Sequence, residues 1–243
     1  TLIYQNNQRF LTSTAGSNGN LTIGYQSPTD IDANGGLGNT GFGYQALGNA
    51  TSTDYNTALG YQALKGSTTL NPNFGFNTAV GYRALTFNTT GNYNTANGLS
   101  SLTSNTTGSS NTANGVRSLS YNTTGVGNVG FGYQTGDGDG AIFDQRSVID
   151  NYATFIGYQA SRSEEILNTT ALTNITAIGK NARVGGSNML VLGGMGDDAV
   201  NVGIGTTTPY AKLSVVGPVV AEYFHATSTT ATSTFPKLDV ATQ

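Results

Sequence analysis

The only histidine of the chain is His225, set in a Thr- and Ser-rich tail with no repeated acid beside it. A Ser-His-Asp hydrolase needs its imidazole held between a hydroxyl and a carboxylate, and no motif here supplies that company. Glycoside cleavage needs two carboxylates across a cleft. Its candidates are Asp137, Asp139, Asp144 and Asp150, which read as loop residues. The segment Gly136-Asp137-Gly138-Asp139-Gly140, followed by Asp144, spaces oxygen ligands alternately, as a calcium loop does. The glutamate that closes an EF-hand is missing, so a glycine-punctuated turn is the simpler reading. With no cysteine, neither a disulfide nor a thiolate metal site can form. The expectation is a protein that is not an enzyme, with no catalytic residue, no cofactor, no metal and an unknown receptor-binding site.

Charge is sparse and uneven. Only 9% of residues are charged, against an ordinary ~25%, and the net charge of −3 gives no basic footprint for nucleic acid or anionic lipid. Between residues 36 and 135 the charged residues are Asp54, Lys65, Arg83 and Arg117. Between 137 and 183 they are far denser and include Arg146, Arg162, Glu164 and Glu165. Loops on a rigid scaffold are where recognition concentrates, although a solvated outer loop fits the same residues. Asn-x-Thr sequons at Asn20, Asn49, Asn88, Asn105, Asn122, Asn168 and Asn174 follow from so Asn- and Thr-rich a composition and imply no glycosylation.

The elements that would position any such site are announced by a repeat. Asn39-Thr40-Gly41-Phe42-Gly43-Tyr44-Gln45-Ala46-Leu47 returns as Asn56-Thr57-Ala58-Leu59-Gly60-Tyr61-Gln62-Ala63-Leu64 and as Asn77-Thr78-Ala79-Val80-Gly81-Tyr82-Arg83-Ala84-Leu85. Degenerate copies occupy 94–102, 111–119 and 128–136, with fainter ones at 21–26, 153–160 and 175–182. The motif glycines Gly43, Gly60, Gly81, Gly98, Gly115 and Gly132 are 17 residues apart, apart from one step of 21 that contains an insertion at 67–73. Asn-Thr-Thr-Gly at Asn88, Asn105 and Asn122 keeps the same period and reads as a turn.

Thr-Ala-Val and Thr-Ala-Leu alternate as a strand does. Gly, Thr and Asn at this density oppose a helix, and 17 residues are too few for a strand with a crossover helix, which needs ~30. Glycine, at 34 residues of 243, is about twice its usual share, without the period of three that collagen requires. The expected fold class is all-β: a parallel β-solenoid or β-roll whose coil is strand, turn, strand, turn. Residues 1–35 read as a lead-in or cap. Residues 36–193 read as the repeat region, loop-bearing from 136, where the motif-glycine steps become 25 and 22. Residues 194–243 read as a neck or connector, Thr- and Ser-rich at 226–235. No apolar run approaches the ~20 residues of a membrane span. The chain starts at Thr1 rather than Met and reads as a processed product or a piece of something longer.

The tyrosines after the motif glycines (Tyr25, Tyr44, Tyr61, Tyr82, Tyr133, Tyr158) give way to Leu99 and Val116 in two copies, which marks a packing position rather than a ligand-reading stripe. Asn97 and Asn114 stand where Phe42, Leu59 and Val80 stand elsewhere. They predict either a stacked amide ladder or ring around an axis, or a column that faces solvent locally. A coil this thin buries little apolar surface alone, and a stripe made of the tyrosines with Leu47, Leu64 and Leu85 needs a covering partner. The expected assembly is a parallel homotrimer.

The repeated Asn-Thr-Ala-x-Gly-Tyr-x-Ala-Leu resembles the head repeats of trimeric autotransporter adhesins, the left-handed parallel β-roll family, over roughly residues 36–193. The resemblance implies three parallel rolls about a threefold axis, displayed outside the cell for attachment to an unknown host receptor, glycan or matrix component. The period here is longer than the usual repeat, and the Asn-Thr-Thr-Gly turns depart from it. Asn201-Val202-Gly203-Ile204-Gly205-Thr206-Thr207-Thr208-Pro209, followed by Ala211-Lys212-Leu213-Ser214-Val215, is similar to a segment of phage tail fibres and bacterial surface fibres. A phage tail-fibre shaft is therefore the alternative to an adhesin segment. A polysaccharide-cleaving tailspike lacks paired carboxylates in a cleft, and an ice-binding solenoid lacks Thr-x-Thr ladders.

Overall fold

The computed structural model describes residues 2–5, 8–13, 18–27, 36–50, 53–66, 74–137, 150–163 and 171–219. It divides into two compact units, Thr1–Val200 and Asn201–Gln243. The first is built on one sheet. It opens with β1 (Leu2–Gln5) and β2 (Gln8–Ser13), which pair antiparallel with each other and with β3 (Leu21–Ile23). From β3 onward every neighbour is parallel: β4 (Thr40–Phe42), β5 (Thr57–Leu59), β6 (Thr78–Val80), β7 (Thr95–Asn97), β8 (Thr112–Asn114) and β9 (Val129–Phe131). The sheet continues through β10 (Asn151–Ile156), β12 (Thr173–Ile178) and β14 (Met189–Leu192). The chain is an all-β parallel β-solenoid. Among the described residues the only helical stretch is the 3₁₀ turn Gly196–Asp198.

The repeat sets the register. Thr57 pairs with Thr78, Ala58 with Ala79 and Leu59 with Val80, even across the step of 21 residues. The insertion at 67–73 itself lies outside the described residues. Each strand is closed by its motif glycine, and these stack coil on coil. Gly81 has φ +131°, and a Cβ placed on it would sit 2.6 Å from the carbonyl oxygen of Gly98, closer than any side chain tolerates. Glycine stands at this corner because the next coil leaves no room for anything else.

The second strand expected in each coil does not form in the regular repeats. After the corner, Gln62 and Leu64 adopt left-handed backbone (φ +54° and +46°), as do Arg83 with Leu85 and Ser100 with Leu102. Alternating handedness prevents a pleated strand, yet the inter-coil bonds persist: Gln62 N–H donates to Tyr44 O (2.8 Å) and Leu64 N–H to Ala84 O (2.9 Å). A non-glycine residue in this region is disfavoured by roughly 1–2 kcal/mol. Burial of the leucine side chain and its backbone bond offset that strain. Among the described residues a second strand appears only as β11 (Ser161–Arg162) with β13 (Arg183–Val184).

The interior is narrow. Ala58, Ala79, Ala96 and Ala113 fill it from the strands, and Leu47, Leu64, Leu85, Leu102 and Leu119 fill it from the turns. Asparagine supplies much of the rest. Asn94 Nδ2 donates to Asn77 Oδ1 (3.1 Å) and to Gly108 O (2.9 Å), while its Oδ1 accepts from both Asn111 N and Asn111 Nδ2 at 3.0 Å. The same pattern runs through buried Asn39, Asn56, Asn77, Asn94 and Asn111. A second ladder, Asn88, Asn105 and Asn122, closes each Asn-Thr-Thr-Gly turn onto its own glycine carbonyl. The two ladders join where Asn128 Nδ2 donates to Asn122 Oδ1.

The second unit is small among its described residues. Strand β15 (Val202–Ile204) pairs parallel with β16 (Leu213–Val215), and Asn201 Nδ2 donates to Pro209 O.

Candidate interaction surface

Because a strand alternates its side chains, the residues flanking each buried alanine point outward. One outward column is threonine: Thr40, Thr57, Thr78, Thr95 and Thr112. Two residues on, a second column runs Phe42, Leu59, Val80, Asn97, Asn114, Phe131, Ile156, Ile178 and Leu192. Past the glycine corner lies the tyrosine column. Its rings stack across coils, Tyr44 on Tyr61 at 4.9 Å and Tyr61 on Tyr82 at 5.1 Å, within 10° of parallel. A further stack, Tyr55, Phe76 and Tyr93 at 5.1 Å, precedes the asparagine ladder. The coil spacing of ~4.8 Å matches the distance at which rings stack, so in-register repetition makes the stacks.

The sequence grouped the tyrosines with the leucines, and the structure separates them. Tyr25, Tyr61, Tyr82 and Tyr133 are 42–48% exposed, whereas Leu47, Leu64 and Leu85 are fully buried. The left-handed turn between them rotates the leucine inward, which a strand-like reading of that stretch misses. The exposed stripe is therefore made by the tyrosines with Phe42, Leu59 and their column. Asn97 and Asn114 are on this outer face and exposed, so the buried ladder is built by the first asparagine of each motif instead. The signal for it was present: every regular copy opens with Asn. It was masked by the abundance of that residue elsewhere. The sequon residues Asn88, Asn105 and Asn122 are buried too, their amides bonded within the second ladder.

The apolar area is large. About ten aromatic and aliphatic side chains at two-fifths exposure or more present on the order of 1,000 Å², given 150–250 Å² for a whole aromatic residue. The largest patch of a monomeric protein is usually about 300–600 Å².

Asp137 and Asp150 lie outside the strands, as the sequence suggested, but both carboxylates are buried. Ser120 donates to Asp137 Oδ1 through its hydroxyl (2.7 Å) and its backbone N–H (3.1 Å), and Arg117 Nε lies 3.7 Å from Oδ2. Burial pushes the Asp137 carboxyl up to about 6, against the opposing pull of the Ser120 hydroxyl, Arg117 and the Ser120 N–H. Asp150 Oδ1 accepts from Arg162 Nη1 (2.8 Å) and from the Leu172 N–H (2.8 Å). Burial raises its carboxyl as well, with Leu172 and Arg162 pulling it back. The two acids share no partner: Ser120 and Arg117 meet one, Arg162 and Leu172 the other.

Asp139, Asp144, Arg146, Glu164, Glu165, Asn168, His225 and the stretch 226–235 lie outside the described residues. Among the described residues no group of three or more His, Cys, Asp or Glu is placed to hold a metal ion, and no helix is long and apolar enough to cross a membrane. Compared with known proteins, the chain matches no family model, no curated protein and no solved structure.

Proposed function

We propose that this chain is a non-enzymatic structural segment of an extracellular fibre, of the kind that bacterial surface adhesins use for attachment, assembled as a parallel homotrimer. The observation that carries the reading is the outer sheet face: an in-register stripe of tyrosine, phenylalanine and aliphatic residues repeated over successive coils. A solenoid interior of alanine, leucine and asparagine stabilises each coil modestly, whereas covering a stripe of this size adds ~25 cal/mol for each Å² of apolar surface removed from water. A partner with the same repeat meets the stripe level for level. The reading predicts one oligomer with three times the chain mass in light scattering coupled to size exclusion, unchanged on dilution to nanomolar concentration. Leu59→Lys, at the stripe, should dissociate it. A wild-type protein that runs as a monomer throughout would sink the proposal.

A further inference from the structure

The outer stripe is interrupted at one place. Its apolar column runs Phe42, Leu59, Val80, then Asn97 and Asn114, then Phe131 and Ile156. In the same two coils the tyrosine column changes to Leu99 and Val116, and the stack ending in Tyr93 is followed by Ser110. Two adjacent coils thus carry an exposed amide belt between two apolar blocks.

Resting on the homotrimer reading, we infer that the partner this face fits is a second copy of the chain at zero offset, and that Asn97 and Asn114 fix that register. The face exposes more than the ~800 Å² per partner that a standard interface buries, so a second copy has enough area to bind. Area alone does not say where. Each coil presents nearly the same threonine, apolar residue and aromatic ring at a spacing of ~4.8 Å, and hydrophobic contact is non-directional. A copy displaced by one coil would still lay Phe42 near Leu59 and Tyr61 near Tyr82.

The belt removes that degeneracy. At zero offset Asn97 meets Asn97 and Asn114 meets Asn114, and an amide, being donor and acceptor at once, pairs with its own kind. Displaced by one coil, Asn97 faces Val80 and Asn114 faces Phe131, so that an amide is buried without a partner at both edges of the belt. A buried asparagine sets register in coiled coils by the same physics.

The parent has no cysteine, which allows a direct test. Chains carrying Thr78→Cys are co-assembled with chains carrying Thr95→Cys, two residues one coil apart in the threonine column, and then oxidised. Zero offset links like positions; a one-coil slip links position 78 to position 95. With Asn97 and Asn114 intact, like-position links should dominate. In the Asn97→Val, Asn114→Phe double variant the ratio of mixed to like links should rise at least about tenfold, the equilibrium factor of an unpaired buried amide. The single variants should move the same way by less, which keeps the test readable if the double variant does not fold. Asn97→Ser with Asn114→Ser, still polar, should keep like-position links. A double variant that sediments as a trimer with its mixed links unchanged overturns the register assignment and leaves the trimer standing. A parent protein that sediments as a monomer overturns both.

Discussion

Between Asn39 and Asn128 the residue entering each strand is asparagine, and the strands are three residues long. In the coils that follow, the same level is Ala153 and then Ile175, and β10 and β12 are six residues long. The difference follows from one acceptor. In the regular coils the backbone N–H of each ladder asparagine donates to the side-chain oxygen of the asparagine before it. That bond takes the place of a main-chain ladder bond, and the regular strands start at the residue after the asparagine, three positions later than β10 and β12. Ala153 N–H is the last to donate to such an oxygen, that of Asn128. Beyond it the backbone pairs with backbone; Ile175 stands at the level of the ladder asparagines, and Phe155, at the level of the strand alanines, and Val184 fill the interior beside it. The same coil geometry is thus held by two chemistries, one directional and polar, the other apolar and carrying a buried ion pair, Arg162 with Asp150.

The sharpest way to break the comparison is to remove one rung. Asn94→Ala deletes the acceptor of Asn111 N–H and the donor to Gly108 O, both buried. Orphaning the Asn111 N–H, while Gly108 O keeps Asn105 Nδ2 as a donor, besides losing the bonds predicts a loss of about 4 kcal/mol by denaturant unfolding. A loss under about 1 kcal/mol would mean the ladder only accompanies the fold. In the apolar region the matching change is Arg162→Met, which strands the Asp150 carboxylate and should destabilise by about 3 kcal/mol at pH 7. Because burial already raises the Asp150 carboxyl, acid neutralises it readily. The deficit of this variant should therefore shrink toward pH 4, and a deficit constant in pH would refute the account.

The smallest effect belongs to the junction, where Asp137 sits. Its carboxyl titrates near 6 in the folded chain against 3.8 when unperturbed. The folded protein therefore binds the proton more tightly than the unfolded one across that window, and stability falls as pH rises from about 4 to 6. Asp137→Asn keeps an acceptor for Ser120 and removes the charge. It should gain about 2 kcal/mol at pH 7 and flatten the dependence of Tm on pH over that range. A wild-type Tm that rises steadily from pH 4 to 6 would contradict the assignment.

The regular region was largely legible before any coordinates. Repetition of Thr-Ala-x-Gly located the strands, and the unvarying Gly43, Gly60 and Gly81 located the corner, because both depend on local geometry that recurs every 17 residues. What the pattern could not convey was handedness. Gln62 and Leu64 are in left-handed backbone, and no residue type there announces it, so a leucine column expected outside lies inside. Asn94 and Asn97 are the same residue three positions apart, one wholly buried and one exposed. Strand alternation sets that difference, turning Asn94 inward with Ala96 and Asn97 outward with Thr95, but the partners that satisfy the inward amide, Asn77 and Asn111, belong to other coils. Asp137 and Asp150 are loop residues as read, but their burial was hidden, because their partners Ser120 and Arg162 stand 17 and 12 residues away in sequence and meet them only in the folded coils.

The glycine corner and the asparagine ladders have a mechanical consequence. All the bonds that join one coil to the next, Gln62 N–H to Tyr44 O among them, point along the direction in which coils are stacked, and each coil bonds chiefly to its neighbours. A pull along that direction therefore passes undiminished through every junction in turn, as it does through the links of a chain. The force at which such a stack yields is that of its weakest junction and does not grow with the number of coils. Lengthening the repeat extends reach without adding tensile strength; only strands of load carried side by side would do that.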